Sequence, residues 1–230
     1  CPVSMQIEDV AHEPARSRPH RTPRQDGDAT RARIIDAAGH LFSDVGFAET
    51  TSKAIAARAE VDIASINYHF TNRDGLYKAV LVEAHRRLVS LDELDAIIDN
   101  GEPASARLRR LIELIVARSM GERGWNAHVL ARELLSPTSH LDALFEDEMP
   151  PKFHRITRLF AESTGRAPED PALLRCAVST AAPCAVLFLM GRIPNPLVNH
   201  MLGWSQETLV DHLHTFAMGG LEAIRRQSHG

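Results

Sequence analysis

Small and hydrogen-bonding side chains are concentrated in one short stretch, IASINYHF. Its Ala64, Ser65 and Asn67 can approach base edges closely, and Ser and Asn can exchange hydrogen bonds with them, as side chains in a DNA major groove do. Ile66 and Phe70 recur at helical spacing and would hold the other face of the same helix on a core. This combination indicates readout of double-stranded DNA.

Two short helices around a tight turn are needed to position this stretch, and together they span residues 51–70. Ile55 and Ala59 recur on one face of the first helix, which marks that face as buried. Thr51 and Asp62 stand where each helix would begin, and their side chains can accept from otherwise unbonded backbone N–H groups. We interpret residues 51–70 as a helix-turn-helix motif.

Further helices on both sides complete this unit. Thr30–Val45 carries an amphipathic stripe and is followed by Gly46, a typical helix stop. Thr71 and Asp74 form a T-x-x-D capping box, which predicts a helix start directly after the motif. The apolar stripe of that helix continues to Leu88, so the helix would act as a lever between the motif and the rest of the chain.

The remainder of the sequence shows helical periodicity and no strand-like alternation. A long segment from 141 to 163 is interrupted at Pro150–Pro151, where the helix must kink or restart, and the segment 171–190 contains Pro183. The sequence therefore predicts an all-α fold of about nine helices, with a three-helix N-terminal domain and a C-terminal helical bundle. The other predicted segments are 104–120, 126–135 and 206–226.

The N-terminal 28 residues are rich in proline and lack apolar periodicity, which predicts a disordered arm. Its arginines are able to reach a phosphate backbone or a minor groove, but its acidic residues favour a solvated tail. These arginines are Arg16, Arg18, Arg21 and Arg24. The predicted domains are the arm at 1–28, a DNA-binding domain at 29–88 and a second domain at 89–230.

Composition excludes several other classes of function. The net charge of −4 is not that of a general nucleic-acid binder, so binding must depend on where a few cations lie. Three cysteines give no disulfide framework and indicate a reducing cytosol, hence a cytoplasmic protein. The longest uncharged apolar run, Cys176–Met190, is too short to span a bilayer, and no membrane partner is expected.

Motifs for catalysis and for metal binding are missing from the sequence. It has no glycine-rich phosphate loop, no nucleophile elbow and no convincing carboxylate pair, so we expect no enzymatic activity and no cofactor. None of the 12 histidines forms an H-x-x-x-H pair, and there is no C-x-x-C motif. His212 and His214 point to different sides of a helix, and we expect no metal site.

The block Thr30–Ala84 resembles the N-terminal domain of the TetR family of transcriptional regulators. The markers are an amphipathic helix ending in Gly-Phe, then T-T-x-x-x-I-A, a turn of small residues with Val61, and Y-H-F before the fourth helix. INYHF followed by RDGLY resembles the CecR-type branch of that family. The stretches ARELLSPTSHLDALF and PLVNHMLGW are similar to the C-terminal domain of that branch.

The resemblance implies roles for individual residues of the motif. Thr51 and Ser52 match phosphate-contacting positions, and Lys53 matches one that reaches a base or a phosphate. Groove-facing positions are Ile63, Ala64, Ser65 and Asn67, backbone-contacting positions are Tyr68 and His69, and Arg73 is a cation at the start of helix four. For Ile63, a place in the core is an equal alternative.

Two residues depart from the family pattern. Glu60 stands where the family has glycine or another small residue, so it must accept an uncomfortable backbone conformation or a shifted turn. Asn67 replaces an aromatic residue that many members carry, and asparagine can pair with adenine, so a different operator is expected.

The family resemblance also implies an effector pocket and a dimer interface in the C-terminal domain. Candidate pocket residues are bulky or polar groups in apolar helical stretches: Trp125, His128, Arg132, Phe153, His154, Phe160, Cys176 and Met190. For each of them, simple packing is the alternative. The interface is expected to form from the segments 171–190 and 206–226 of each subunit, with packing inside the monomer as the alternative. Candidate interface residues on the last helix are Leu209, Leu213, Phe216, Ala217 and Leu221.

The expected protein is a homodimeric, sequence-specific transcriptional regulator, a repressor that a small organic effector releases from a near-palindromic operator. An activator, or a repressor that needs its ligand, remains open within this class. The alternative from another class is a helical small-molecule binding protein with a vestigial DNA-binding domain, which the charge balance and Glu60 favour.

Overall fold

The computed structural model describes residues 23–120, 124–190, 196, 200 and 203–227. Within these residues the chain forms ten α-helices, one π-helical turn and no strand, which confirms the all-α prediction. The first four helices are α1 (Pro23–Val45), α2 (Ser52–Ala59), α3 (Ile63–Phe70) and α4 (Arg73–Leu88). They are followed by α5 (Leu91–Ile98), α6 (Ala104–Met120), α7 (Trp125–Leu135), the π-helical turn (Leu144–Glu148), α8 (Met149–Thr164), α9 (Pro171–Met190) and α10 (Gln206–Gln227).

Helix α1 begins earlier than its apolar stripe indicates. Residues 23–28 are helical, which corrects the prediction of a disordered arm up to residue 28, whereas residues 1–22 of that arm lie outside the described residues. Proline at the first helical position loses no hydrogen bond, and Asp26 in the first turn suits the positive end of the helix dipole. Thr30 Oγ1 also donates to the Asp26 carbonyl at 2.8 Å.

The capping box predicted at Thr71 is wrong, because Asn72 caps α4 instead. Asn72 is extended and its Oδ1 accepts from the N–H of Gly75 at 2.8 Å. Thr71 has a positive φ of 68° and bonds back to the carbonyl of Asn67, so it ends α3. A side chain in that reversed conformation is not available to cap the next helix.

Helix α5 was missed in the sequence, although its capping box was readable as S-x-x-E. Ser90 caps the helix and Glu93 bonds back to the Ser90 backbone N–H at 3.0 Å. Arg118 of α6 pairs with Glu93 and also donates to the carbonyl of Leu88, the last residue of α4. The Arg118 guanidinium, with the Ser90 hydrogen bonds, lowers the pKa of the Glu93 carboxyl to about 2. This contact fixes the angle between α4 and α5.

Two apolar cores organise the described residues. The first core joins α1–α4 with α7 and the π-helical turn, and the second joins α5, α6, α8, α9 and α10. Helix α7 contributes Trp125, Val129 and Leu130 to the first core, and the π-helical turn contributes Leu144. The apolar packing therefore does not follow the predicted domain boundary at residue 88, since residues far beyond it complete the first core.

A buried charge cluster joins α4 to α8. Lys152 and Glu148 are each 3% exposed, with Nζ 2.6 Å from Oε1, and Arg86 Nε donates to the other carboxylate oxygen at 2.9 Å. His85 Nδ1 lies 2.8 Å from Lys152 Nζ. Burial, and then the Lys152 charge, lower the pKa of His85 to about 4. The neutral ring can therefore accept a hydrogen bond from the ammonium group.

The prolines act as their positions indicate. Pro150 and Pro151 lie in the first turn of α8, so the predicted interruption is a restart after the π-helical turn. Helix α9 continues through Pro183. Most of the predicted connector at 191–204 lies outside the described residues. Among the helices that are described, none has the length and apolar character needed to cross a membrane.

Candidate nucleic-acid interface

The start of α2 presents side chains to solvent because the opposite face is buried. Thr51 is the N-cap, as predicted, and its Oγ1 accepts from the N–H of Ala54 at 3.1 Å. Ile55 is fully buried on the inner face. Lys53 is therefore exposed and Ser52 is half-buried, both at the helix end where positive dipole and free N–H groups favour phosphate.

The turn between α2 and α3 reverses the chain at Glu60. Its backbone is left-handed, with φ 54° and ψ 50°, and its N–H bonds to the end of α2. Asp62 then caps α3 as predicted, with its carboxylate accepting from the Ser65 N–H at 2.6 Å. The hydrogen bonds from Ser65 lower the pKa of Asp62. The uncomfortable conformation predicted for Glu60 is confirmed.

Glu60→Gly is expected to raise the free energy of unfolding by about 1 kcal/mol, because glycine adopts the left-handed region without the side-chain strain that glutamate carries there. The measurement is urea unfolding followed by circular dichroism. Glu49→Gly is the control, since Glu49 is an exposed turn residue whose φ is not positive. Equal changes in the free energy of unfolding for the two variants would show that the lost charge, and not the backbone conformation of residue 60, causes the effect.

Helix α3 divides into a buried and an exposed face. Ile66 is fully buried and Phe70 is 6% exposed. On the opposite side Tyr68 is 86% exposed and Ile63 is 46% exposed, and Asn67 is exposed with them. Of the two open alternatives for Ile63, its exposure favours the outer face. Ala64 is exposed, and Ser65 and His69 are half-buried at the edges of this face.

Arg73 lies close to the motif and also makes contacts within the protein. Its Nη1 donates to the carbonyl of Thr50 at 2.8 Å, and its guanidinium lies 4.3 Å from the centre of the Phe47 ring. It therefore ties the start of α4 to Thr50, the residue before the N-cap of α2. A second cation, Arg31 of α1, lies 5.3 Å from the Phe70 ring centre at the end of α3. No local signal marks Arg31 for this position, because only the tertiary fold brings it to the Phe70 ring.

The predicted pocket residues do not come together in one place. Trp125 Nε1 donates to Asp36 of α1 at 2.9 Å, and Arg132 reaches the carbonyl of Ser43 at 3.5 Å, so both face α1. The other candidates are distributed differently: Phe160 and Cys176 are buried in the second core, Phe153 packs against it, His128 is half-buried and His154 is exposed. The side chain of Met190 lies outside what the structure describes.

The predicted dimer residues on α10 also divide by burial. Leu209 and Leu221 are buried within the subunit, and Leu213 and Ala217 pack partly against the second core. Phe216 alone of the five is largely exposed, at 70%. Helix α9, the other segment predicted for the interface, contacts α10 and carries exposed apolar side chains that were not predicted individually. They are Leu174, Val178 and Val186.

Comparison with known proteins agrees with this geometry. Residues 34–80 match the family described as bacterial regulatory proteins, tetR family. Residues 104–221, about half of the chain, match the C-terminal domain of the HTH-type transcriptional dual regulator CecR. The two matches fall on the helix-turn-helix region and on the helices that follow it.

Individual relatives are regulators and not enzymes. The HTH-type transcriptional dual regulator CecR of Shigella flexneri is 28% identical over 160 residues, covering 64% of this chain and 70% of that protein. The HTH-type transcriptional regulator TtgR of Pseudomonas putida is 32% identical over 111 residues, which is 41% of this chain and 53% of TtgR.

A solved structure shares the fold over most of its length. Native NalD, the secondary repressor of the MexAB-OprM multidrug efflux pump in Pseudomonas aeruginosa, superposes with a TM-score of 0.60 at 20% identity. The match covers 85% of this chain and 96% of NalD. The exposed and capped helix α3 agrees with the two family matches. These matches show that the chain belongs to the TetR family of DNA-binding transcriptional regulators, in the branch with a CecR-type C-terminal domain.

Proposed function

We propose that the chain represses transcription by binding a near-palindromic operator as a homodimer, and that a small organic effector releases it. The observation that carries this proposal is the division of α3, whose apolar side chains Ile66 and Phe70 are buried while Asn67 and Tyr68 are exposed. A short helix anchored in this way offers its polar face to the major groove. Repression is also the action named for NalD, whose fold the chain shares.

Each predicted contact residue has a proposed role on this surface. Asn67 reads a base edge, Ala64 and Ser65 allow close approach, and Ile63 meets thymine methyl groups. The remaining contacts fix the register on the phosphate backbone, from Thr51, Ser52 and Lys53 at the start of α2 and from Tyr68, His69 and Arg73 beside α3. The proposed DNA-binding domain is 29–88, and the proposed effector-binding and dimerisation domain is 89–230.

Dimerisation is proposed through α9 and α10. Leu174, Val178 and Val186 lie on the outer side of α9, and Phe216 is exposed on the neighbouring α10. A Cβ on Gly219 or Gly220 would meet no neighbouring atom within 4 Å, so a second subunit can approach closely there. Two-fold pairing of these helices would place the recognition helices about 34 Å apart, on successive major grooves.

Val178→Asp is expected to shift the chain towards monomer and to weaken operator binding at least tenfold, because a carboxylate cannot be buried unpaired in an apolar interface. Analytical ultracentrifugation and gel-shift titration measure the two effects. Leu135→Asp, at a leucine on α7 that is 64% exposed against 56% for Val178, is the matched control and is expected to remain dimeric. A dimeric Val178→Asp variant would place the interface elsewhere.

Effector release is proposed as a conformational equilibrium between a state with recognition helices correctly spaced for DNA and a state with them wrongly spaced. Thermodynamic linkage then requires effector and operator to weaken each other's binding by the same factor. The pocket is proposed among the C-terminal helices, where Phe153, Phe160 and Cys176 lie in or against the second core. Trp125, His128 and Arg132 of α7 stay proposed as pocket residues, although Trp125 and Arg132 face α1. His154 of α8 and Met190 of α9 stay proposed with them.

Selection of DNA from a random duplex library by the purified full chain tests this function. We expect a near-palindromic sequence with half-sites about 10 base pairs apart, bound with an affinity that falls as salt rises. The proposed location is the cytoplasm, where an operator is accessible. Failure to enrich any sequence, together with salt sensitivity no greater than that of a non-binding control protein, would instead support the helical small-molecule binding protein with a vestigial DNA-binding domain.

A further inference from the structure

Helix α7 is anchored on the DNA-binding helices at its first residue. A Cβ added to Gly39 of α1 would stand 2.3 Å from the Trp125 ring, so the ring lies directly against the α1 backbone. The indole Nε1 donates to Asp36 of α1, and the Arg87 guanidinium covers the ring at 4.7 Å from its centre. The position of α7 is therefore fixed relative to α1 and α4.

A buried carboxylate ties the other end of α7 to α4. Glu133 is 1% exposed and accepts from the hydroxyl of Tyr77 at 2.9 Å. It also accepts from the backbone N–H and the hydroxyl of Thr138, at 2.7 and 2.8 Å. Burial, and then the bond to Glu133, raise the pKa of Tyr77, which keeps its hydroxyl a donor. The turn after α7 is thus bonded to the same carboxylate as α4.

His140 continues this network to the first turn of α4. It is 9% exposed, and its Nε2 lies 2.9 Å from Oδ1 of Asp74. An ionised carboxylate only accepts hydrogen bonds, so Nε2 carries the proton of this bond. The bond is the main reason that the pKa of Asp74 is lowered. The imidazole ring packs on Phe47 and Tyr77, with centroids 4.9 and 5.2 Å away.

The first turn of α4 touches both helices of the DNA-binding motif. Arg73 donates to the carbonyl of Thr50, the residue before the N-cap of α2, and covers the Phe47 ring. A Cβ on Gly75 would stand 2.2 Å from the carbonyl oxygen of Phe70, the last residue of α3. Because these contacts are so close, a movement of the first turn of α4 would displace both α2 and α3.

We propose that His140 and Glu133 are positioning residues for operator binding, although they lie far beyond the helix-turn-helix in sequence. His140 holds the first turn of α4 through Asp74, and Glu133 holds the same helix through Tyr77. Together they fix the orientation in which α3 meets DNA. The inference rests on the proposed operator binding and deepens it, because it assigns part of the recognition geometry to α7 and the turn after it.

Paired substitutions at His140 separate its hydrogen bond from its ring packing. His140→Phe keeps an aromatic ring against Phe47 and Tyr77 but loses the donor to Asp74. His140→Gln keeps an N–H donor in nearly the same place and loses the ring. With the duplex that the wild-type chain selects as probe, we expect His140→Phe to weaken binding about tenfold and His140→Gln to stay within about threefold. Binding to a random duplex is expected to change less in both.

Asp74→Ala removes the other partner of the bond to His140. This substitution should not unfold the protein, because the Asp74 side chain is 60% exposed. Removing a negative charge by itself strengthens attraction to DNA, whereas loss of positioning weakens operator binding. The sign of the change in operator affinity therefore distinguishes the two effects. We expect weakening. Asp92→Ala is the matched control, because it removes an exposed carboxylate from the first turn of α5. The double variant of His140→Phe and Asp74→Ala should lose no more than either single variant.

Hydrogen exchange of the backbone amides from 63 to 73 gives a readout that needs no DNA. Exchange is expected to be faster in His140→Phe and Asp74→Ala than in wild type, and unchanged in Asp92→Ala. Unchanged exchange in the first two variants, or equal operator affinity for His140→Phe and His140→Gln, would overturn the inference. If the wild-type chain selects no DNA sequence, the proposed operator binding fails, while the exchange measurement still decides whether the network positions α3.

Discussion

Glu148→Ala is expected to lower the free energy of unfolding by about 3–5 kcal/mol, because it leaves a buried ammonium group without its counter-charge. Lys152 is 3% exposed and lies 2.6 Å from Glu148 Oε1. That oxygen has no hydrogen bond of good geometry, so the contact acts mainly through charge. Without the carboxylate, Lys152 would face the neutral His85 and the positive Arg86. Urea unfolding measures the loss.

Two variants separate charge pairing from general damage to the π-helical turn. Glu146→Ala removes an exposed carboxylate from the same turn and is expected to change stability by less than about 0.5 kcal/mol. Glu148→Leu combined with Lys152→Met removes both charges and should recover much of the lost stability. A double variant as unstable as Glu148→Ala would mean that shape rather than charge makes this site sensitive.

Asn67→Ala is expected to cost about 1–3 kcal/mol of operator affinity, roughly 5- to 150-fold, and to relax preference at one base position. The exposed amide of Asn67 can form two hydrogen bonds with the edge of one adenine, and alanine can form neither. Because Asn67 is exposed in the free protein, the folded structure should be unaffected. Fluorescence titrations with the selected duplex, and with versions changed at single positions, measure both the loss and its location.

Lys53→Ala is the comparison for this prediction. Lys53 is exposed at the start of α2, and a phosphate contact from it carries no sequence information. Its loss is expected to weaken the selected and the random duplex alike and to reduce the salt dependence. If Asn67→Ala behaves in the same way, with equal losses on both duplexes, a base-reading role for Asn67 is wrong.

The recognition motif was predictable because its signals are local. The caps Thr51 and Asp62 and the buried Ile66 and Phe70 follow from side-chain chemistry within a few residues, and the structure confirms them. The left-handed backbone at Glu60 was predicted from the family resemblance, which places a small residue there, and it is confirmed as well. Helix α5 had a local signal as well, the S-x-x-E capping box that begins at Ser90, and it has the same length as α2 and α3. Thr71 and Asn72 are both residue types that can cap α4. Thr71 has a positive φ that ends α3, so Asn72 is the cap.

The C-terminal sites were less predictable because tertiary contacts define them. Leu209 and Phe216 both lie in an apolar helical pattern, but only the packing of α10 shows that the first is buried and the second exposed. On a helix with apolar residues on both sides, periodicity does not distinguish the inner side from the outer one. Trp125 and Arg132 were predicted as pocket residues from size and polarity, and their contact with α1 is invisible in local sequence.

The composition of the first core has a consequence during protein synthesis. Trp125, Val129, Leu130 and Leu144 close this core, and they emerge from the ribosome long after the recognition helix. A nascent chain that ends near residue 90 therefore exposes the apolar faces of α1 and α4, and such faces favour aggregation or chaperone binding. Helices α5 and α6 are made in between and belong to the other core. The two cores are thus interleaved along the chain, so neither is complete when the first half has been translated.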